Sequence, residues 1–487
     1  MDFFRLITHA PTFEDEYSCF WDDPSSVSLN WLSILYSMMS IASCHSTFSS
    51  DPKDGTSQSR EEISLFRHRS AQCLVLSDYT KPTVNTVEAL LLYFFSQHID
   101  RQENQFAKYL VFTTIIRVAM RAGYHRDSLH FQGISAFTGE YRRRVWLLIL
   151  QFDILMSFEV GLPRMINEIE TDTELPRVLR DSDLTTEMTE LPPPRAEDDS
   201  ILCHVIVRAG ILRVLGKIQD RAVSIRPLSY DIVIQIDQSL DEQYDSVPSS
   251  LKAHHGYSIT ETPTALLQRL MLDLLFQKAR CSLHRRFMNT QSTSYRRCID
   301  ASLRIIHHQS YIYHECRPGG FLYGYKWKVI CAATYDFLLA AIIICLGVHP
   351  QNRSGQNVPL GVDLDSYGDP VELLKALEES YMIWTEWSGE THEAGVVSDI
   401  VKVVLKRVKK QRTTAPFDDN SNSELVESSH TEPPSTDMKN MSPLSTDIFA
   451  DIVDLNGGID WTQWDNQMQQ QGISPHLQAN AQMWFTN

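Results

Sequence analysis

The stretch "EYRRRVWLLILQFDILMSFEVGLPRMI", residues 140–166, decides the fold. Its apolar side chains recur at helical spacing and form a face wide enough to be buried. This face consists of Val145, Leu148, Ile149, Phe152, Leu155 and Met156. Gly161 and Pro163 follow the last apolar turn, and residues of these types commonly end a helix. The spacing therefore predicts one long buried helix that ends at Gly161.

The charged residues of this stretch are expected to serve the packing of the helix. Glu140 and Arg144 are separated by one helical turn, which favours a surface ion pair. Asp153 lies on the apolar part, so we expect it to pair with a cation from a neighbouring helix or with an arginine of the chain. Contact of the consecutive arginines 142–144 with phosphate is the weaker interpretation, because Glu140 and an acidic chain surround them.

Helical spacing continues through most of the chain, and no stretch has the sustained two-residue alternation of a strand. The pattern predicts an all-α fold, with one large multi-helix domain over residues 1–411. Two stretches rich in helix-breaking or polar residues interrupt the pattern. They predict a long irregular excursion at 167–200 and a second loop at 349–370.

One apolar run, "VICAATYDFLLAAIIICLGV" at 329–348, nearly reaches membrane-spanning length. Asp336 lies in its middle, and a carboxylate is costly inside a bilayer. The run therefore favours a buried helix of the bundle over a membrane span.

The nine cysteines are scattered, odd in number and without a C-x-x-C pair. A chain of 487 residues is long enough to fold without a disulfide framework. The cysteines are therefore interpreted as reduced residues of the core rather than as a disulfide set or metal site.

Composition restricts the classes of function. A hydrophobic content of 43% predicts that most of the chain folds, while a formal net charge of -17 disfavours non-specific binding to nucleic acid. The sequence lacks phosphate-binding glycine loops, a nucleophile elbow and a zinc-protease motif. A catalytic interpretation would depend on Asp153, His125 and Asp127 meeting in one cleft. We predict that the chain is not an enzyme and holds no cofactor.

The character of the chain changes in residues 412–487, where Ser, Thr, Pro and acidic residues predict a disordered tail. Within it, residues 444–470 mix carboxylates with large apolar side chains. This composition is typical of an activation segment that becomes ordered on a coactivator. An equally good alternative is a helix that packs on the protein's own core. The apolar side chains are Ile448, Phe449, Ile452, Val453, Leu455, Trp461 and Trp464.

A basic cluster, "KRVKKQR" at 406–412, precedes this tail. It is a candidate nuclear import signal. Alternatively, its cations stabilise the negative end of a helix dipole, and the two roles are compatible. The basic residues are Lys406, Arg407, Lys409, Lys410 and Arg412.

The order of these motifs resembles the middle homology region of fungal-specific transcription factors, regulators that usually carry a zinc binuclear cluster. The resemblance rests on E-x-R-R-R-x-W, then D, S and G-x-P, with "AMRAGYHRD" before and "KARCSLHRRF" after, and it spans roughly residues 1–410. Leu147 and Leu162 depart from the family's usual residues. The motif residues, for which a structural role is expected, are Glu140, Arg142, Arg143, Arg144, Trp146, Asp153, Ser157, Gly161, Pro163, His125, Arg126, Asp127, His284 and Arg285.

The resemblance implies a nuclear transcription regulator of a metabolic or secondary-metabolite gene set. Its helical region would be a scaffold that controls dimerisation, effector response or exposure of the activation segment. The family's six-cysteine cluster does not occur in this sequence. Zinc and direct DNA contact are therefore expected only if such a cluster lies upstream. The expected partners are a second copy or a zinc-cluster regulator, and a coactivator bound by the tail.

Two other functions stay open. The first is an interaction protein without a zinc cluster that pairs with a full-length regulator and modulates it. The second is a small-molecule sensor or enzyme that uses a cavity between helices.

Overall fold

The described residues of the computed structural model are mostly helical, which confirms the predicted all-α class. Among them, strand structure is limited to a two-residue antiparallel ladder between β1 (Val453–Asp454) and β2 (Gly458–Ile459). The described residues are 2–49, 56–98, 105–195, 201–226, 228–254, 256, 258, 260–348, 369–388, 394–395, 397–403, 405–406, 453–454, 458–459, 461 and 463–464. Most of the predicted loop at 349–370 and of the predicted disordered tail at 412–487 lies outside them.

Twelve long helices with short 3-10 turns between them form the described part of the chain. Each helix begins and ends as follows: α1 Ala10–Asp22, α2 Leu29–Ser49, α3 Thr56–Leu76, α4 Thr86–His98, α5 Gln105–Arg121, α6 Ala136–Val160, α7 Ile201–Ala222, α8 Tyr230–Asp245, α9 Pro263–His284, α10 Ser292–Glu315, α11 Lys326–Val348 and α12 Pro370–Trp387.

The chain divides into two compact units. The first contains described residues of Met1–Leu283 and Tyr311–Asp336, and the second contains described residues of His284–Ser310 and Phe337–Gln467. In the first unit, helices that follow one another along the chain pack together, from α2 with α3 and α4 through α5, α6, α7 and α8. This order builds a core from contacts that are mostly local in sequence.

Helix α6 lies inside the first unit and is buried nearly all round. Its predicted apolar face is buried, and so are Trp146 and Leu147 on other sides. Phe152 packs among aromatic residues of α4 and α5, with its ring centroid 4.9 Å from that of Phe95 and 6.1 Å from that of Phe112. A helix in this position can expose few of its charged groups to water, so they must find partners within the protein.

Both ends of α6 are capped as its sequence requires. The Ser135 hydroxyl accepts the N–H of Thr138 at the start. At the other end Gly161 adopts φ 65°, the left-handed conformation that glycine adopts without steric cost, and its N–H binds the carbonyl of Ser157. The predicted helix end at Gly161 is confirmed, and the helix begins four residues before Glu140.

The one carboxylate of the apolar helix α11, that of Asp336, forms an ion pair. Asp336 lies 3.1 Å from the Lys278 ammonium, and both side chains are almost fully buried. Among the described residues, no helix has the length and apolar character needed to cross a bilayer. The charge in the middle of the run is thus balanced within the first unit.

Candidate functional site

Many of the predicted motif residues of the first unit meet where α6 contacts the excursion (167–200). Arg143 donates two hydrogen bonds of 2.8 Å to the carboxylate of Asp127. Both residues are buried. The Asp127 carboxylate also accepts the backbone N–H groups of Leu129 and Glu174. Burial opposes ionisation, but the bonds from Arg143 and these amides lower the pKa of Asp127 to about 2.

The Glu140–Arg144 pair forms as predicted, with 3.3 Å between Arg144 Nε and Glu140 Oε1. Its predicted place at the surface is wrong, because Glu140 is completely buried. The excursion covers the pair: Glu140 accepts the N–H of Arg177, and Arg144 donates to the Leu179 carbonyl at 2.9 Å. Burial raises the pKa of Glu140, and the charge of Arg144 opposes this shift.

Apolar contacts hold the same part of the excursion. Tyr141 of α6 packs with Leu179 and Leu184 in a small buried cluster. The Tyr141 hydroxyl also donates to the carboxylate of Asp181, 3.0 Å away. The excursion is therefore fixed to α6 by both hydrogen bonds and apolar packing.

The predicted ion pair of Asp153 is wrong. Its two carboxylate oxygens accept the N–H groups of Met165 and Ile166, each at 3.0 Å, and no described cation lies within 4 Å of it. The turn at Gly161 and Pro163 brings these amides back to the helix end. Arg164, the next cation along the sequence, binds Asp220 instead. Burial raises the pKa of Asp153 to about 6, although the two amide bonds act against this.

Other motif residues of the first unit bind the start of the excursion or the turn after α5. The Trp146 indole donates to the Thr171 hydroxyl at 2.8 Å, and that hydroxyl donates to the His125 carbonyl. Arg126 pairs with Asp172. Arg142 donates to the Ala122 carbonyl at 2.6 Å. These contacts support the structural role predicted for the motif.

Neither a catalytic cleft nor a zinc site is found at these residues. Asp127 and Asp153 are each saturated by different partners, as described above. Among the described residues, no cluster of three or more His, Cys, Asp or Glu side chains is placed to bind a metal ion. Six of the described free cysteines are buried core residues, while Cys19 is exposed and Cys203 partly so. The residues present therefore do not fit a zinc cluster.

The second unit contains the other motif residues and part of the predicted activation segment. The Trp461 indole N–H donates to the Arg285 carbonyl at 3.0 Å, and the Arg285 guanidinium lies 4.9 Å from the centroid of the Trp461 ring. Trp464 is fully buried. His284 is hydrogen-bonded through Nδ1 to the Ser294 hydroxyl. Both tryptophans thus pack on the chain itself, as in the alternative interpretation of this segment.

Most other residues of the activation segment and of the basic cluster lie outside the described part of the chain. Val453 belongs to β1, and Lys406 is exposed at the end of the described helical residues. The predicted residues outside the described part are Ile448, Phe449, Ile452, Leu455, Arg407, Lys409, Lys410 and Arg412.

Sequence reasoning missed the excursion side chains that complete this network, Thr171, Asp172 and Asp181. It also missed the buried Glu88, which accepts the Tyr124 hydroxyl at 2.5 Å. A signal for Glu88 was present, since a carboxylate within the apolar run of α4 requires a buried partner. The excursion residues gave no such signal, because polar residues in an irregular segment are usually solvated.

The comparisons with known proteins agree with the motif and the helical architecture. Residues 3–242 match the model of the fungal specific transcription factor domain. The chain belongs to this family of fungal transcription factors.

Similar curated proteins carry zinc-cluster names. The chain is 31% identical to the Zn(2)-C6 fungal-type transcription factor mpsB of Macrophomina phaseolina, over 97% of this chain and 68% of that protein. It is 33% identical to the Zn(2)-C6 fungal-type transcription factor pigI of Monascus ruber, over 84% of this chain and 51% of that protein. It is 31% identical to the equisetin cluster transcription factor eqxF of Fusarium heterosporum, over 95% of this chain and 66% of that protein.

The chain thus spans about half to two thirds of the length of these relatives. No solved structure matches it significantly.

Proposed function

We propose that the chain is a nuclear transcription regulator whose helical scaffold controls a C-terminal activation segment. Family membership supports the general function. Relatives named for the equisetin and fusarisetin A clusters support a secondary-metabolite gene set as the target. The import role of residues 406–412, with the helix-end role as its alternative, belongs to the same proposal.

The observation that carries the proposal is the contact between Trp461 and Arg285. An activation segment binds a coactivator through exposed aromatic and aliphatic side chains. Trp461 and Trp464 are buried against their own chain, so a coactivator cannot contact them in this state. The segment must leave the second unit before it can bind, and the strength of this contact would set the fraction of active molecules.

The contact can be weakened at one side chain, because the Arg285 guanidinium lies over the Trp461 ring. One hydrogen bond, from the Trp461 indole to the Arg285 carbonyl, and this cation–π contact join the two residues. Each contributes about 0.5–2 kcal/mol, in addition to the burial of the tryptophan rings. Motif residue Arg285 would then be a positioning residue for the segment.

A transcription assay tests this function. The full 487-residue chain is fused to a heterologous DNA-binding domain and compared with a version lacking residues 444–470 and with Arg285→Gln. We expect deletion to abolish reporter output and Arg285→Gln to raise it several-fold, with Lys375→Gln, an exposed cation of the same unit, as the matched control. Unchanged output after deletion, at equal protein level, would refute the activation role.

The second candidate is a modulator that acts on a full-length regulator, directly or as a dimer partner. The net charge of -17 favours it, because the field of an acidic chain repels DNA. A gel-shift with the purified 487-residue chain tests whether this chain binds DNA without a partner. Tight sequence-specific binding of DNA by this chain alone contradicts the modulator, which needs its partner to reach DNA.

A further inference from the structure

A cavity of about 520 Å³ lies in the first unit, and Tyr141 and Arg142 of the network described above form part of its lining. The N-terminal part of the chain, the start of α4 and the first turns of α6 surround it. The cavity combines a buried polar end with walls of aromatic side chains. Volumes of this size are typical of sites for small organic molecules.

The polar end has an unused hydrogen-bonding group. Glu88 lines the cavity and is 9% exposed. Its Oε1 accepts the hydroxyl of Tyr124. Its Oε2 is buried and has no hydrogen-bond partner in the described part of the chain. A buried polar atom left in this way is costly, and a bound ligand is one means of satisfying it.

The carboxyl groups of the cavity select against an anion. Arg142 offsets the Glu88 charge, but its guanidinium is already engaged with the Ala122 carbonyl and lies 4.5 Å from the centroid of the Tyr124 ring. A second carboxyl, that of Glu16, lines the same cavity.

The walls are suited to a flat ring. Phe13 stacks on Trp31 with ring centroids 5.2 Å apart. Phe137 and His9 also line the cavity, and their rings are nearly perpendicular with 5.0 Å between centroids. Flat aromatic surfaces favour stacked or edge-on contact with another ring.

We propose that this cavity binds an uncharged, ring-containing organic molecule whose hydroxyl or amide group hydrogen-bonds to Oε2 of Glu88. The molecule enters past the exposed side chains of Val84 and Thr138, which line the rim. Its ring lies between the aromatic walls. This ligand site goes beyond the proposed transcriptional role and does not depend on it.

Three naphthalene derivatives of similar shape, each added to the full chain, test whether binding requires an uncharged hydroxyl group. Isothermal titration or saturation-transfer NMR measures the binding of 2-naphthol, 2-methylnaphthalene and 2-naphthoate. We expect saturable binding of 2-naphthol and binding about tenfold weaker for each of the other two, which lack the hydroxyl or add a negative charge. Tighter binding of 2-naphthoate, or no saturable binding of 2-naphthol, overturns the proposal.

Two tryptophan substitutions test the location. Thr138→Trp places a large ring at the exposed rim, and we expect it to abolish 2-naphthol binding without changing the melting temperature. Ile169→Trp, at an exposed position away from the cavity, is the matched control and should bind as the wild type does. Equal binding by Thr138→Trp and the wild type would show that 2-naphthol binds elsewhere and would overturn the assignment.

Discussion

Arg143 and Asp127 form a two-bond ion pair that joins α6 to the loop before it, with both side chains buried. Two more hydrogen bonds from backbone amides complete the coordination of this carboxylate. The pair therefore fixes three segments at once: α6, the turn after α5, and the excursion.

Substitution of Asp127 should destabilise the first unit strongly. Asp127→Asn leaves the Arg143 charge buried without its counterion, which costs about 3 kcal/mol of unfolding free energy. Urea unfolding measures this change. Asp78→Asn is the control, because Asp78 also pairs with a cation, Lys81, but at the surface. The structural role of the Asp127 pair would be refuted if the two substitutions had equally small effects.

Gly161→Ala tests the turn that ends α6. A side chain at φ 65° is strained, so we expect a loss of about 1 kcal/mol in thermal or urea unfolding. Gly324→Ala is the control, since that glycine has ordinary φ and nothing near the position of an added Cβ. A Gly161→Ala protein as stable as the wild type would mean that the left-handed cap is dispensable.

The Asp153 carboxyl should give the stability a distinct pH dependence. Its pKa is about 6 in the folded chain, against 3.8 ordinarily. The pKa of Asp153 is higher in the folded chain than in the unfolded chain. Its contribution to the free energy of unfolding is therefore fully present below the unfolded-state pKa and is lost as pH rises through the folded-state pKa. The stability of the wild type relative to Asp153→Asn should therefore fall by about 2 kcal/mol between about pH 4 and pH 7.

Comparison with Asp153→Asn isolates this carboxyl from other groups. Burial lowers the pKa of His204 to about 3, so its contribution is lost in the opposite direction, as pH falls below the unfolded value. His204 is present in both proteins and cancels in the difference. A flat difference across the range would show that Asp153 is ionised throughout.

The ion pair inside the first unit, Lys278 with Asp336, is suited to a double-mutant cycle. Either single change, Lys278→Met or Asp336→Leu, leaves one buried charge and should cost about 3 kcal/mol. The double variant should be more stable than either single variant, because no charge is left. Additive losses in urea unfolding would mean that the two charges do not interact.

The sequence was sufficient to predict what is local along the chain. The burial of α6 follows from its own apolar spacing, and the end at Gly161 follows from a glycine after the last turn. The Asp153 partners could not be predicted, since backbone amides carry no signature in the sequence. The depth of Glu140 was misjudged for a similar reason: it depends on the path of the excursion, which has no periodic pattern.

The activation segment illustrates a different limit. The mixture of carboxylates with Trp461 and Trp464 indicates that the tryptophan side chains pack on some protein surface. The composition does not distinguish a coactivator surface from a surface of the chain itself. Only the position of Arg285 next to Trp461 distinguishes the two in this state.

Several contacts of α6 with the excursion are to main-chain atoms: Glu140 accepts the Arg177 amide, and Arg144 donates to the Leu179 carbonyl. Any residue other than proline supplies these amides and carbonyls. Substitutions at such positions of the excursion can therefore leave its path unchanged. A single substitution on the helix, in contrast, would free several residues of the excursion at once.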